Sequence, residues 1–170
     1  MAGNDTTTHA IGNAIELLCT HPEERANLVA DWSLLDNAME EVLRFEPPVQ
    51  GLFRTATEGV EVAGCPIPAD AKVRVMYASA NRDTDFLPDA DEFRIDRDPK
   101  ALRRHLAFGF GIHGCVGSAM GRMELRTAVQ TLFRRLPDLD LNPARPPRRL
   151  DAFFMRGFES LPVRFTPVPR

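Results

Sequence analysis

Residues 107–117 read AFGFGIHGCVG, and this run restricts the chain more than any other. Gly109, Gly111 and Gly114 spell G-x-G-x-x-G, the pattern of a backbone loop that cradles a dinucleotide pyrophosphate. Cys115 closes the same run, with His113 before it and Gly117 after it. A pyrophosphate loop must leave a buried strand, open a helix, and meet an acid about 20 residues on, at the end of a second strand. Here the preceding RRHLAF is short and basic, the equivalent later positions fall at Arg134 and Arg135, and the nearby Glu124 lies inside a helical pattern. The phosphate reading fails on its surroundings. A zinc site through His113 and Cys115 fails too, because structural zinc takes four ligands, usually in two closely spaced pairs. The other cysteines, Cys19 and Cys65, lie far upstream.

What remains is a thiol just ahead of a helix. Free N–H groups and the positive end of the helix dipole favour a thiolate there, and a thiolate is a soft ligand suited to iron. Gly111 and Gly117 would let the backbone approach a flat macrocycle with no Cβ in the way. A lone cysteine is otherwise a small core hydrophobe, so the rest of the chain has to choose.

Apolar spacing divides the 170 residues into blocks without an internal repeat. Helical periodicity runs from Ala10 to about Phe45, with Ile11, Ile15 and Leu18 on one face and Leu34, Leu35, Ala38, Met39, Val42 and Leu43 on another. His21-Pro22 interrupts it, Asp31 or Ser33 is placed to cap the helix that follows, and Pro47-Pro48 closes it. From Val49 to Tyr77, β-prone pieces such as VEVAG and KVRVMY alternate with Gly64, Pro66 and Pro68, predicting a small twisted sheet. Residues 81–104 are polar and rich in Asp and Arg, and read as an irregular surface segment. Helical spacing returns with Met120, Met123, Leu125, Ala128, Val129, Leu132 and Leu136, and stops at Pro137. LPVRF near the end reads as an edge strand. The fold class is therefore mainly α with small β-sheets.

A net charge of −3 disfavours a nucleic-acid partner, and no apolar run approaches the roughly 20 residues needed to span a membrane. MAGNDTTTHA lacks the basic and apolar parts of a secretory signal. Three cysteines without paired spacing argue against a disulfide framework, so the expected location is the cytoplasm.

The loop also resembles a known family. FGFGIHGCVG matches the F-x-x-G-x-x-x-C-x-G haem-thiolate signature of the cytochrome P450 monooxygenases, with Phe108, Gly111, Cys115 and Gly117 at its fixed positions. Three more motifs follow the family's order: EVLR supplies the E-x-x-R pair Glu41 and Arg44, FRIDR supplies a third member, Arg97, and AGNDTT is similar to the oxygen-activation motif of the long distal helix. Gly121, Val116 and Ile95 are mild departures, where the family more often has alanine, leucine and proline.

The resemblance implies the C-terminal part of a soluble, bacterial-type P450 fold as one partial domain. Residues 1–46 would hold the distal and E-x-x-R helices, 47–80 a small β region, 81–114 an irregular segment and the haem loop, 115–136 the proximal helix and 137–170 a C-terminal β hairpin. Met1 would then fall inside the distal helix, leaving the N-terminal half of the family fold absent. The implied cofactor is haem b. Cys115 would be the axial iron ligand, supported in cofactor binding by Phe108, Gly109 and Gly117, with Arg54 and His113 meeting the propionates. His105 could instead be a local loop residue. Asp5 and Thr6 would deliver protons during oxygen activation, with Gly3 letting the helix widen, although Asp-Thr-Thr alone also reads as an ordinary helix cap.

Glu41 and Arg44 share a helix face at i,i+3. By themselves they would be a solvated pair; within the resemblance they join Arg97 in a structural network bracing the loop. Ala2, Val49, Leu52 and Phe154 are the candidate substrate contacts, with Gln50, Phe153 and Met155 beside them. The implied activity inserts one oxygen atom from O2 into a small organic substrate. Electrons would come from a ferredoxin and its NAD(P)H-dependent reductase, docking near Arg103, Arg104, Arg122 and Arg126. The alternative is a truncated, non-catalytic fragment with an incomplete pocket.

Overall fold

Proline and capping chemistry set the first helices. In the structure, a computed structural model describing residues 2–167, α1 spans Ala2–Thr20 and α2 spans Pro22–Ala30. Proline opens α2, where its missing N–H costs nothing, and Glu23 and Glu24 occupy the positive first turn. Asp31 then leaves the helix in extended conformation and accepts the Ser33 amide at 2.9 Å. It thereby caps the short 3-10 turn Trp32–Leu34 that leads into α3, Leu35–Phe45.

α3 is the central element. Its buried residues are Leu35, Ala38, Met39, Glu40, Glu41, Val42, Leu43 and Arg44, so a helix with three charged residues lies inside the protein. α1 and the long α6, Ser118–Arg135, pack against α3 and against each other. On α6 the inward stripe is Leu125, Val129 and Phe133 at i,i+4 spacing, whereas Met120 and Met123, near its start, are exposed. On α1 the core face is Ala10, Ala14, Leu17 and Leu18, with Ile11 and Ile15 only partly buried. The expected Ile11–Ile15–Leu18 face is thus rotated by about one residue, and the small alanines take the closest approach.

Two short helices, α4 (Tyr77–Ala80) and α5 (Pro99–Leu102), frame a stretch of turns and bends. The expectation of a surface segment over 81–104 is overturned. The backbone is irregular, but Leu87, Ala90, Phe93, Ile95 and Leu102 are buried. These apolar residues occur singly among aspartates and prolines, so they show no period although they plug the core.

Both β regions are nested antiparallel ladders. Strand β1 (Leu52–Thr55) pairs with β4 (Lys72–Val75), enclosing the hairpin of β2 (Val60–Val62) and β3 (Cys65–Ile67). At the C-terminal end β5 (Asp140–Leu141) pairs with β8 (Val163–Arg164), enclosing β6 (Arg148–Arg149) and β7 (Phe158–Ser160). The two regions meet where Val49 bridges Met155, the Phe53 and Phe153 rings stack at 6.1 Å, and the Arg74 guanidinium lies 4.2 Å from the Phe153 ring centre. No helix among the described residues is long and apolar enough to cross a membrane.

Candidate functional site

The glycine run forms a tight loop ahead of α6. Gly109 and Gly111 adopt φ values of 70° and 64°, where a Cβ is disfavoured, and a Cβ on Gly109 would also come within 3.3 Å of the His113 carbonyl oxygen. The amide of Cys115 donates to the Phe108 carbonyl at 2.8 Å, tying the two ends of the loop together. Phe110, Ile112 and Val116 point outward at 84%, 97% and 104% exposure, and Cys115 and His113 are exposed as well.

Cys115 opens onto a cavity of about 340 Å³. Phe108, Gly109, His113 and Cys115 line one side, Thr6, Thr7 and Ala10 of α1 another, and Val49 and Leu52 a third. Leu43 and Tyr77 complete its apolar wall. Thr6 and Ala10 lie four residues apart, so one face of α1 looks onto the cysteine loop. Arg54 is on β1, where its Nη2 donates to the Tyr77 hydroxyl at 3.3 Å, and it lines a neighbouring cleft with His113 and Lys72. Two cationic or hydrogen-bonding side chains therefore flank the thiol-bearing cavity at one edge.

Other expected site residues lie elsewhere. Asp5 is exposed on α1, outside the cavity lining, and accepts a 3.4 Å bond from the Asn4 amide nitrogen. The backbone is regular α-helix through Gly3. Phe154 is 47% exposed and also outside the lining; its carbonyl accepts the Gln50 amide at 2.9 Å. Gly117 is the N-cap of α6, not a cavity residue. Ala2 opens α1, and its side chain lies outside the described residues.

The buried charges assemble as a fully paired set. Arg44 gives Nε and Nη2 to the two carboxylate oxygens of Glu41 at 2.7 and 2.8 Å, a bidentate fork, with both side chains fully buried. Its remaining donors reach the carbonyls of Asn81, Ala90 and Glu92. Arg97 adds a 3.1 Å contact to Glu41 and binds the carbonyls of Pro88, Asp89 and Glu92, and the Arg94 amide also donates to Glu41. The carbonyl-rich 81–97 segment is thus wrapped around two guanidinium groups.

A second cluster was not read from the sequence. Glu40 is buried, accepts from His105 at 2.9 Å, and pairs with Arg122 of α6 through contacts of 2.5 and 3.0 Å. Burial acts to raise its pKa, but the bonds from His105 and Arg122 prevail and lower it to about 2. The only sequence signal was the doubled acid Glu40-Glu41.

A cofactor can be tested against this chemistry. No group of three or more His, Cys, Asp or Glu side chains that could hold a metal occurs among the described residues. The cavity instead offers one accessible thiol, an apolar wall, a glycine-relieved floor and cationic neighbours at one edge. That donor set suits a metal carried in its own planar ring, anchored by one thiolate and ending in anionic groups. Haem fits the residues present.

Comparison with known proteins agrees. The family model described as Cytochrome P450 matches residues 25–158. This chain belongs to the cytochrome P450 family. The steroid C26-monooxygenase of Mycolicibacterium smegmatis is 42% identical over 167 residues, covering 98% of this chain and 41% of that protein. Cytochrome P450 monooxygenase PikC of Streptomyces venezuelae is 41% identical, covering 97% and 39%. The crystal structure of CYP109E1 from Bacillus megaterium in complex with testosterone superimposes with a TM-score of 0.92 at 36% identity, covering 96% of this chain and 45% of that one. The chain spans about two fifths of the length of the curated P450 relatives it matches.

Proposed function

We propose that this chain is the haem-thiolate part of a P450 monooxygenase, which inserts one oxygen atom from O2 into a small organic substrate. The observation that carries the reading is the cavity into which both Cys115 and the Thr6–Ala10 face of α1 open. The group would be haem b, held through Cys115 and packed by Phe108 and Gly109. Arg54 and His113 would meet its carboxylates. When bound, haem supplies the site for O2 reduction and oxygen insertion, and a thiolate ligand favours O–O cleavage.

Every other step belongs to side chains. Thr6 stands on the α1 face above the loop and would pass a proton by its hydroxyl, with Asp5, one residue earlier, as the relay to solvent. Val49 and Leu52 would contact substrate and exclude water, with Phe154 as an outer contact. Electrons would come from a ferredoxin and its NAD(P)H-dependent reductase. Arg103, Arg122 and Arg126 line one cleft together with Asp36 and Glu40, and this arginine-bearing face would meet an acidic donor. Three free cysteines support a cytoplasmic location.

A second reading, a non-catalytic fragment with an incomplete pocket, rests on the openness of the cysteine loop, where Phe110, Ile112, Val116 and Cys115 are all exposed. The test is to add haemin to the purified chain, reduce it and bubble carbon monoxide. The monooxygenase reading expects stoichiometric haem uptake and a thiolate-type absorption band that disappears in Cys115→Ala. No uptake by the wild-type chain overturns it and leaves the fragment reading.

A further inference from the structure

Glu40 and Glu41 are neighbours on α3, but consecutive helix residues point about 100° apart, and the two carboxylates hold different parts of the protein. Glu41 takes the 81–97 segment, as described. Glu40 takes the root of the cysteine loop and the first turns of α6. Its Oε1 accepts Arg122 Nε at 2.5 Å, while Oε2 accepts Arg122 Nη2 at 3.0 Å and His105 Nε2 at 2.9 Å. On the other side of the His105 ring, Nδ1 accepts the Ala107 amide at 3.1 Å. That bond assigns the ring proton to Nε2, so the imidazole donates to Glu40 while its far nitrogen holds the loop backbone.

The same two side chains flank one aromatic ring. The Arg122 guanidinium carbon sits 4.4 Å from the centre of the Phe108 ring, and the His105 ring centre lies 6.1 Å from it. Gly121 closes the third side: a Cβ there would touch Phe108 at 3.7 Å. Phe108 in turn supplies the carbonyl that accepts the Cys115 amide. An unbroken series of contacts therefore runs from Glu40 through His105 and Arg122 to Phe108, and from Phe108 to the backbone of Cys115.

We infer that Glu40 is a positioning residue for Cys115, clamping Phe108 between His105 and Arg122 so that the amide of Cys115 is held on the Phe108 carbonyl. The inference rests on the reading of Cys115 as a haem ligand for its functional meaning, but the clamp belongs to the chain's own residues. Charge-assisted, bidentate pairing makes the device strong, and the planar guanidinium can both fork onto Glu40 and stack on Phe108, which lysine cannot do.

The first arm uses the haem-free chain and follows amide hydrogen exchange. Glu40→Gln is expected to speed exchange at Cys115 at least about tenfold, with the same direction for Arg122→Lys. Asp36→Asn, which breaks the exposed Arg126 pair on the same face, is expected to leave it unchanged. The second arm adds haemin and carbon monoxide: Glu40→Gln should take up haem yet lose the thiolate-type band at least about tenfold faster than wild type. Should Glu40→Gln fail to fold, Arg122→Lys carries both readouts. Wild-type exchange at Cys115 in the folded variant, or in Arg122→Lys, overturns the inference, as does a thiolate band of undiminished lifetime. Failure of the wild-type chain to bind haem instead overturns the proposed function, and the first arm still decides the clamp.

Discussion

Two regions a few residues apart in the fold treat water in opposite ways. Around α3, Glu41 and Arg44 are fully buried, Arg97 and Glu40 nearly so, and every one of these charges is paired inside the chain. Around Cys115, apolar side chains face outward, Ile112 and Val116 almost completely. Removing charges from water is expensive unless all partners are present, so the α3 region must be complete in itself. The cysteine loop has no such requirement: its glycines and two ends are fixed, and its outward surface is left for a ligand or a neighbour to cover. The scaffold is closed where it bears load and open where it would bind.

The largest expected effect breaks the closed side. Arg44→Ala leaves Glu41 buried with a weakened pairing and strips the Asn81, Ala90 and Glu92 carbonyls of a donor. A loss of about 3–5 kcal/mol in urea unfolding is expected, enough to unfold a chain of ordinary stability. A loss under about 1 kcal/mol would mean that the network is not what holds the 81–97 segment.

A matched pair of isoleucines sharpens the contrast. Ile95 is fully buried and Ile112 is 97% exposed. Ile95→Ala should cost about 2–5 kcal/mol through the cavity it leaves, and Ile112→Ala should stay within about 0.5 kcal/mol. Equal costs, measured by urea unfolding, would erase the distinction between the two regions.

Acid probes the link between them. The pKa of Glu40 lies at about 2, below its ordinary 4.5, so the folded state prefers the ionised form. Its contribution is fully present above pH 4.5 and is lost as pH falls from about 4.5 towards about 2. The stability difference between wild type and Glu40→Gln should therefore shrink over that window by about 2 kcal/mol. A difference independent of pH from 6 to 3 would show that Glu40 is not ionised by these partners.

The closed region was only half legible in the sequence. Glu41 and Arg44 stand out because i,i+3 places them on one helix face, and Pro22 and Pro47 mark the helix boundaries near where they occur. Glu40 does not stand out, because its partners are 65 and 82 residues away and only the folded chain brings them together. The 81–104 segment misled for a related reason. Its burial depends on backbone carbonyls meeting buried arginines, and hydrophobic periodicity carries no record of carbonyls. On the open side the loop was legible because its glycines and cysteine are local requirements. The cavity's far wall was legible only in part: Thr6, Val49 and Leu52 line it, whereas Asp5 and Phe154 do not.

Amide hydrogen exchange on the whole chain, with and without haemin, tests the central contrast most directly. Without haemin, α3 should be protected and the amides of residues 110–113 should exchange fast, with Cys115 slower because its amide is held on the Phe108 carbonyl. With haemin, the loop alone should slow by about tenfold or more, and Cys115→Ala should abolish that slowing. A loop already as protected as α3, or one that haemin leaves unchanged while α3 responds, would contradict the account.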